Sequence, residues 1–291
     1  MKSSYGARLR QVAAQDRILP FIGVYDVFSA TIAAQHFEAL FASGFGFAAS
    51  HYGLPDIGFI AWSDLVAFVH RVRSVLPAHH LLVDIDDGYG DPEVACHVVS
   101  LLERLGASGV VLEDQKRPRR CGHFEGKQIL ELDEFLAKLK RILAVREDLF
   151  VVARTDASDQ DEVVRRVEAF AAAGADAVLA DGLRNLETIR ALKRRVSVPL
   201  AFNQIAGGNS PPCRLSELQA LGASLVIYST PCLFAAQAAV EDAMTALKEN
   251  DGNLRAAPHC RIGVNECTAL LNENLARRDM ERSRSEVPAT T

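Results

Sequence analysis

The chain has 291 residues, of which 49% are hydrophobic and 24% charged, with a formal net charge of −5. That length supports a sizeable core and fits an α/β barrel of about 250 residues running as one domain. The mildly acidic balance leaves no electrostatic footprint for nucleic acid or an anionic membrane surface, so a basic cluster must be read locally, as an anion site.

The N-terminal stretch MKSSYGARLRQVAAQDRILPF lacks the apolar run of a secretory leader, and no segment reaches the ~18 apolar residues of a membrane span. Short runs rich in Val, Ile, Leu and Phe then recur, and predict strands at 19–23, 38–43, 81–86, 108–113, 149–154, 176–180, 198–203 and 224–228. The runs are almost continuously apolar, which suits parallel strands buried on both faces. Helical patterns lie between them. DPEVACHVVSLLERLGA sets Val94, Val98, Leu101, Leu102 and Leu105 on one stripe and stops at Gly106; SDQDEVVRRVEAFAAAGA repeats the design and stops at Gly174. The corner GA-[DS]-x-V at 106–110, 174–178 and 222–226 leads from helix into strand each time. These units predict a (β/α)8 TIM-type barrel over 1–250, followed by a C-terminal helical extension over 251–291 that packs on the barrel or on a partner.

In such a barrel chemistry belongs to the C-terminal ends of the strands. The predicted strands end in Ser43-Gly44, Asp84 with Asp86 and Asp87, Glu113-Asp114, Arg154 with Asp156, Asp181, Asn203-Gln204 and Tyr228-Ser229. Asp84 and Asp86 are two apart, so on a strand they share a face and need a cation between them; oxygen donors select a hard ion such as Mg²⁺. The competing reading makes them helix caps or loop salt bridges. Arg154 can grip a carboxylate in two-pronged fashion, or simply pair with a rim acid. In VLEDQKRPRRCGHFEGK, four cations precede Cys121. They are expected to lower its pKa towards the thiolate, and Gly122 and Gly126 would let the loop move. The alternative is a surface loop with an incidental thiol. The six cysteines (Cys96, Cys121, Cys213, Cys232, Cys260 and Cys267) show no C-x-x-C spacing and read as reduced, cytoplasmic thiols.

LEDQKRPRRCGHFEGK resembles the signature loop of the isocitrate lyase/phosphoenolpyruvate mutase superfamily, DIDDGYG its metal motif and SGFGFAASHYGLPDIGF its substrate-gripping loop. VVARTDA and PLAFNQIAGGNSP are similar to its later strands, so the likeness runs from about residue 8 to residue 250. The resemblance implies Mg²⁺, or Mn²⁺, held by Asp84, Asp86 and Glu113. It places Ser43, Gly44 and Phe45 on a 2-oxo acid, Asp56 in a mobile segment beside it, and Arg154 on a carboxylate. It makes Cys121 the proton donor of a lyase, with Gly122, His123, Asp181, Asn203 and Ser210 lining the substrate. It also implies a homodimer or homotetramer in which the last helix is exchanged between barrels. The chain departs from the pattern in four places. Phe41 stands where lyases carry Tyr, Asp181 where they carry Glu, Ala206 where a Glu often precedes the double glycine, and bulky Phe45 where they are small. The expected activity is a carbon–carbon lyase acting on a methylisocitrate-, alkylmalate- or oxaloacetate-like acid. P–C bond chemistry of the phosphonomutase or phosphonopyruvate hydrolase type is the alternative, and an idle barrel kept for assembly is a third.

Overall fold

The computed structural model describes residues 4–256 and 262–286; Cys260 and parts of the expected 251–291 extension lie outside these. Eight parallel strands close into a barrel in sequence order: β1 (Leu19–Val24), β2 (Ala39–Ala42), β3 (His80–Asp84), β4 (Gly109–Glu113), β5 (Phe150–Thr155), β6 (Ala177–Ala180), β7 (Leu200–Asn203) and β8 (Leu225–Tyr228). Each predicted strand is present within two residues at either end. The helices are α1 (Tyr5–Ala13), α2 (Val27–Ala33), α3 (Gly44–Phe47), α4 (Trp62–Val75), α5 (Pro92–Arg104), α6 (Leu132–Val145), α7 (Gln160–Ala172), α8 (Glu187–Lys193), α9 (Leu215–Leu221), α10 (Pro231–Glu249) and α11 (Val264–Glu286).

Local chemistry explains the boundaries. Asp91 caps α5 through the Glu93 amide and Pro92 fills its first position, while Asp159 caps α7 through Glu162. Gly106, Gly174 and Gly222 sit at φ +89°, +99° and +103°, a left-handed turn that side chains resist and that ends the preceding helix. That geometry is the physical content of the repeated corner motif.

Side chains alternate across each strand. Phe21, Phe41, Leu82, Val111, Val152, Leu179, Ala201 and Ile227 fill the barrel interior, joined from below by Leu9 and Ala13 of α1. Their neighbours Ile22, Leu40, Val83, Leu112, Ala153, Ala180, Phe202 and Val226 form the second core, against the helices. Inward residues recur every second position, so the next inward positions towards the C-terminal mouth are Ser43, Asp84, Glu113, Arg154, Asp181 and Asn203. The apolar alternation itself aims the polar ring at the barrel axis.

Asp114 points the other way. It is fully buried behind the rim, accepting from the Asp156 amide at 3.0 Å and from Arg166 Nη1 at 2.9 Å, while Arg166 Nη2 donates to Leu130 O at 2.7 Å. This pair locks the ends of β4 and β5 to α7. Arg166→Met, which strands the buried carboxylate, should lower stability by about 3–5 kcal/mol in urea unfolding. Adding Asp114→Leu should restore part of that loss. A single variant within 1 kcal/mol of wild type would contradict this role.

Candidate active site

Three carboxylates expected to hold a cation do meet at the mouth. Their arrangement differs from a strand-face pair. β3 ends at Asp84, and Asp86 sits in the following turn at φ +49°, its amide donating to Asp84 Oδ1 at 3.2 Å. The turn, and not strand alternation, brings the two acids together. Gly44 backs onto them: a Cβ there would lie 2.9 Å from Asp84 Oδ2 and 3.4 Å from Asp86 Oδ1. Asp87 neither joins the group nor caps a turn; Arg117 takes it in a bidentate pair, with both contacts at 2.9 Å.

The second difference is Arg119, which the motif reading counted only as a neighbour of the thiol. Its guanidinium, 2% exposed, stands among the acids: Nε donates to Glu113 Oε1 at 2.8 Å, Nη1 to Asp56, and Nη2 lies 3.3 Å from Asp86 Oδ1. Asp56 is therefore buried and ion-paired in this structure. Among the described residues no three acid, histidine or cysteine side chains form a ready cation cage.

The donor set nevertheless fits a hard dication. Burial raises Asp84 and Asp86 above the usual carboxylate range, and it pushes Glu113 up to about 7 in spite of Arg119 and Arg154. Asp86 Oδ1 and Glu113 Oε2 accept no hydrogen bond, although both are buried. The carboxylates of Asp56, Asp84, Asp86, Glu113, Asp156 and Asp181 outnumber the cations among them, Arg119, Arg154 and Lys127. All these donors are oxygen, and Mg²⁺ needs only one or two protein carboxylates while keeping water or substrate oxygens.

Arg154 is also more committed than expected. It forms a bidentate pair with Asp156 at 3.0 and 2.9 Å and reaches Asp181 Oδ2 at 2.7 Å; Nη1 has only Glu113 Oε2, at 3.4 Å. The salt-bridge reading of Arg154 is the one seen in the structure, with Nη1 its least engaged nitrogen.

The cysteine loop corrects the thiolate expectation. Its cations are spent elsewhere, Arg117 on Asp87 and Arg119 on Asp56 and Glu113. Cys121 is 6% exposed, and burial, followed by the charge of Asp56, pushes its thiol up to about 12. It is a protonated acid, not a nucleophile in waiting. Gly122 is required by space: a Cβ would overlap Asp181, Arg154 and Asp156. Lys127 Nζ donates to Gly122 O and lies 3.4 Å from Asp156.

His123 latches the loop to the opposite wall. Its Nδ1 accepts the Asn209 amide at 2.9 Å, which leaves the ring proton on Nε2, 3.5 Å from Asp181 Oδ1; Asn209 Nδ2 donates to His123 O at 3.1 Å. Burial alone would raise Asp181, but Arg154, His123 and Asn203 hold it below the usual range. Asn203 donates to Asp181 at 3.0 Å and accepts from Ser229 at 2.8 Å. Ser210 is 4% exposed and its hydroxyl has no partner. Ser43 spends its hydroxyl capping α3 through the Gly46 amide at 3.1 Å, and the Gly44 and Phe45 amides in the first turn lack intrahelical acceptors. Thus Ser43, Gly44, Asp56, Asp84, Asp86, Glu113, Cys121, Gly122, His123, Arg154, Asp181 and Asn203 all converge, with Phe45 and Ser210 on the flank. The motif reading missed the structural work of Arg119, Lys127, Asp156 and Asn209. Asp156, two residues past Arg154, carried a usable signal; the other three act through loop geometry that spacing does not encode.

Comparison with known proteins agrees with this architecture. The phosphoenolpyruvate phosphomutase family model matches residues 9–248. A 2-methylisocitrate lyase of Shewanella oneidensis is 34% identical over 263 residues, spanning 88% of this chain and 89% of its own. A 2,3-dimethylmalate lyase of Eubacterium barkeri is 30% identical over 253 residues, spanning 84% and 86%. A phosphonopyruvate hydrolase solved with oxalate and Mg²⁺ superposes with a TM-score of 0.82 at 26% identity, covering 98% of this chain and 99% of the other.

A thiol pushed up to about 12 keeps on the order of one thiolate in 10,000 at pH 8. Cys121 should therefore react with iodoacetamide at least a hundredfold more slowly than the more accessible Cys267, followed site by site by peptide mass spectrometry. Equal rates would contradict the protonated, buried thiol.

Proposed function

Because the chain belongs to the phosphoenolpyruvate phosphomutase family, we propose that it is a Mg²⁺-dependent carbon–carbon lyase that cleaves a 2-hydroxy or 2-oxo dicarboxylate of the methylisocitrate, alkylmalate or oxaloacetate type. The observation that carries this reading is the buried Cys121 thiol in the loop whose Gly122 packs against Asp181, Arg154 and Asp156. Breaking the bond between C2 and C3 leaves an electron pair on C3, and a lyase must deliver a proton there. A phosphonomutase-type rearrangement needs no such donor, whereas phosphonopyruvate hydrolysis, which leaves an enolate, would use one as well.

Asp84, Asp86 and Glu113 are the residues that would hold the cation, directly or through water. A bound dication supplies stabilisation of the negative charge that grows on the oxo-acid half. The Gly44 and Phe45 amides and Arg154 Nη1 orient that half by hydrogen bonding. Phe41 offers no phenolic oxygen, so the 2-hydroxyl proton passes to one of the carboxylates lining the site. His123 and Lys127 hold the loop shut, which keeps the thiol dry and protonated until the carbanion forms. Ser210 and Asn203 meet the distal end of the substrate.

P–C bond chemistry is the second reading, favoured by the likeness to the phosphonopyruvate hydrolase. Against it, two of the four loop cations that could have met a phosphoryl group, Arg117 and Arg119, are tied to protein carboxylates.

The reading extends to assembly. Helix α10 has no buried residue along its length, with Val240 58% and Met244 56% exposed. Beside its first turns runs an apolar groove of about 650 Å³, lined by Phe28, Ile32 and Phe37 next to Tyr228. A second copy of the chain, laying its own α10 or neighbouring C-terminal residues into this groove, accounts for both as a homodimer or a homotetramer built from dimers. Within the single chain α11 packs on the barrel, Asn274 donating to Thr31 at 2.9 Å.

Incubation with Mg²⁺ and methylisocitrate, 2-methylmalates or oxaloacetate should release the 2-oxo acid or oxalate, while phosphonopyruvate stays intact by phosphorus NMR. Conversion of the phosphonate with no lyase turnover would contradict the assignment. Cys121→Ser should lower kcat by at least about a hundredfold with little change in cation affinity, as expected for a lost general acid. Unchanged kcat would remove the thiol from the chemistry.

A further inference from the structure

A chamber of about 540 Å³ opens at the catalytic mouth between the segment after β7 and the start of α10. Its walls include Ile205, Ala206, Pro212, Tyr228 and Phe234, and no charged residue lines it. The chamber borders the site on two sides. Phe234 packs edge-on against Phe45 with ring centroids 6.1 Å apart, and Phe45 adjoins Gly44, which lies against the carboxylates. On the other side, Gly208 presses on the loop latch, where a Cβ would fall 2.6 Å from His123 Nδ1. Ser210 also lines it, its buried hydroxyl unpartnered. Gln204, Tyr228 and Thr230 add neutral polar groups to the lining, and the Ser210 hydroxyl is a buried group free to bond a ligand.

The geometry points to an enzyme whose substrate carries a bulky, uncharged substituent at C3, seated in this chamber. The inference rests on the lyase reading and narrows its substrate class to 3-alkyl- or 3-aryl-substituted malates. The distal carboxylate meets Ser210 at the chamber mouth, and the substituent runs on against Ile205, Tyr228 and Phe234. A tricarboxylate such as methylisocitrate would put its third carboxylate into the same room. It would find no cation there, only the neutral polar groups of Gln204, Ser210, Tyr228 and Thr230, so burying that charge is less favourable than burying an alkyl group. The products follow from the bond broken: pyruvate from a 2-methylmalate, and the substituted acetate that takes the Cys121 proton at C3.

Two measurements test this. The first is kcat/KM for pyruvate release from 2-methylmalates bearing methyl, ethyl, propyl or butyl at C3, and from methylisocitrate, whose C3 group is carboxymethyl. We expect a rise of about fourfold per added methylene, and the propyl compound to exceed the similarly sized carboxymethyl one by at least tenfold. The second is calorimetric binding of the same series, and of oxalate, in the presence of Mg²⁺. Ala206→Phe should flatten the dependence on chain length while oxalate binding stays as in wild type. A flat or falling series, or preference for the carboxymethyl compound, overturns the inference and leaves the lyase reading standing. Binding that tightens with chain length but no release of pyruvate upholds the chamber and sinks the lyase reading.

Discussion

Negative charge held out of water at the barrel mouth is the constraint on which the rest depends. Asp86 and Glu113 are buried and Asp84 half-buried beside them, together with buried Asp56, Asp156 and Asp181. In that environment charge must be matched by charge, and Arg119 and Arg154 supply the match within the chain. The match is incomplete: carboxylate oxygens of Asp86 and Glu113 remain without hydrogen bonds. A dication would complete the match, with Asp84, Asp86 and Glu113 the residues that would hold it. Arg119 contacts both Asp86 and Glu113, so cation binding there would bear on the position of the cysteine loop through one side chain.

The loop is pinned at several points of different kinds. Arg117 ties it to Asp87, Arg119 to Asp56 and Glu113, Lys127 to Gly122 O, and His123 to Asn209. The thiol rides between these anchors. Its environment is made by the anchors consuming the positive charge that would otherwise ionise it. A cluster of cations near a cysteine in sequence thus failed to lower its thiol, because burial dominates and Arg117 and Arg119 are paired with carboxylates.

Much of the fold was legible in the sequence. Apolar runs without alternation meant parallel strands covered on both faces, and the GA corners meant helix ends, since only glycine relaxes into φ near +100°. The polar ring was legible for the same reason: Leu82, Val111, Val152 and Leu179 face the axis, so Asp84, Glu113, Arg154 and Asp181 must as well. Sequence spacing failed where the chain leaves regular structure. Asp86 lies in a turn at φ +49°, so period-two reasoning paired it with Asp84 by the wrong geometry. Arg119, Lys127 and Asn209 act from irregular segments, where no periodicity says which way a side chain points. The open flank of α10 was not legible in the sequence, because an unpartnered face is a property of the folded surface.

Titrating Mg²⁺ into chelator-treated protein by calorimetry, with and without oxalate, and repeating it with Asp84→Asn, tests the central claim most directly. The account requires one ion per chain, bound more tightly when oxalate is present and at least about tenfold more weakly in the variant. No binding, or binding indifferent to both oxalate and Asp84→Asn, would contradict it.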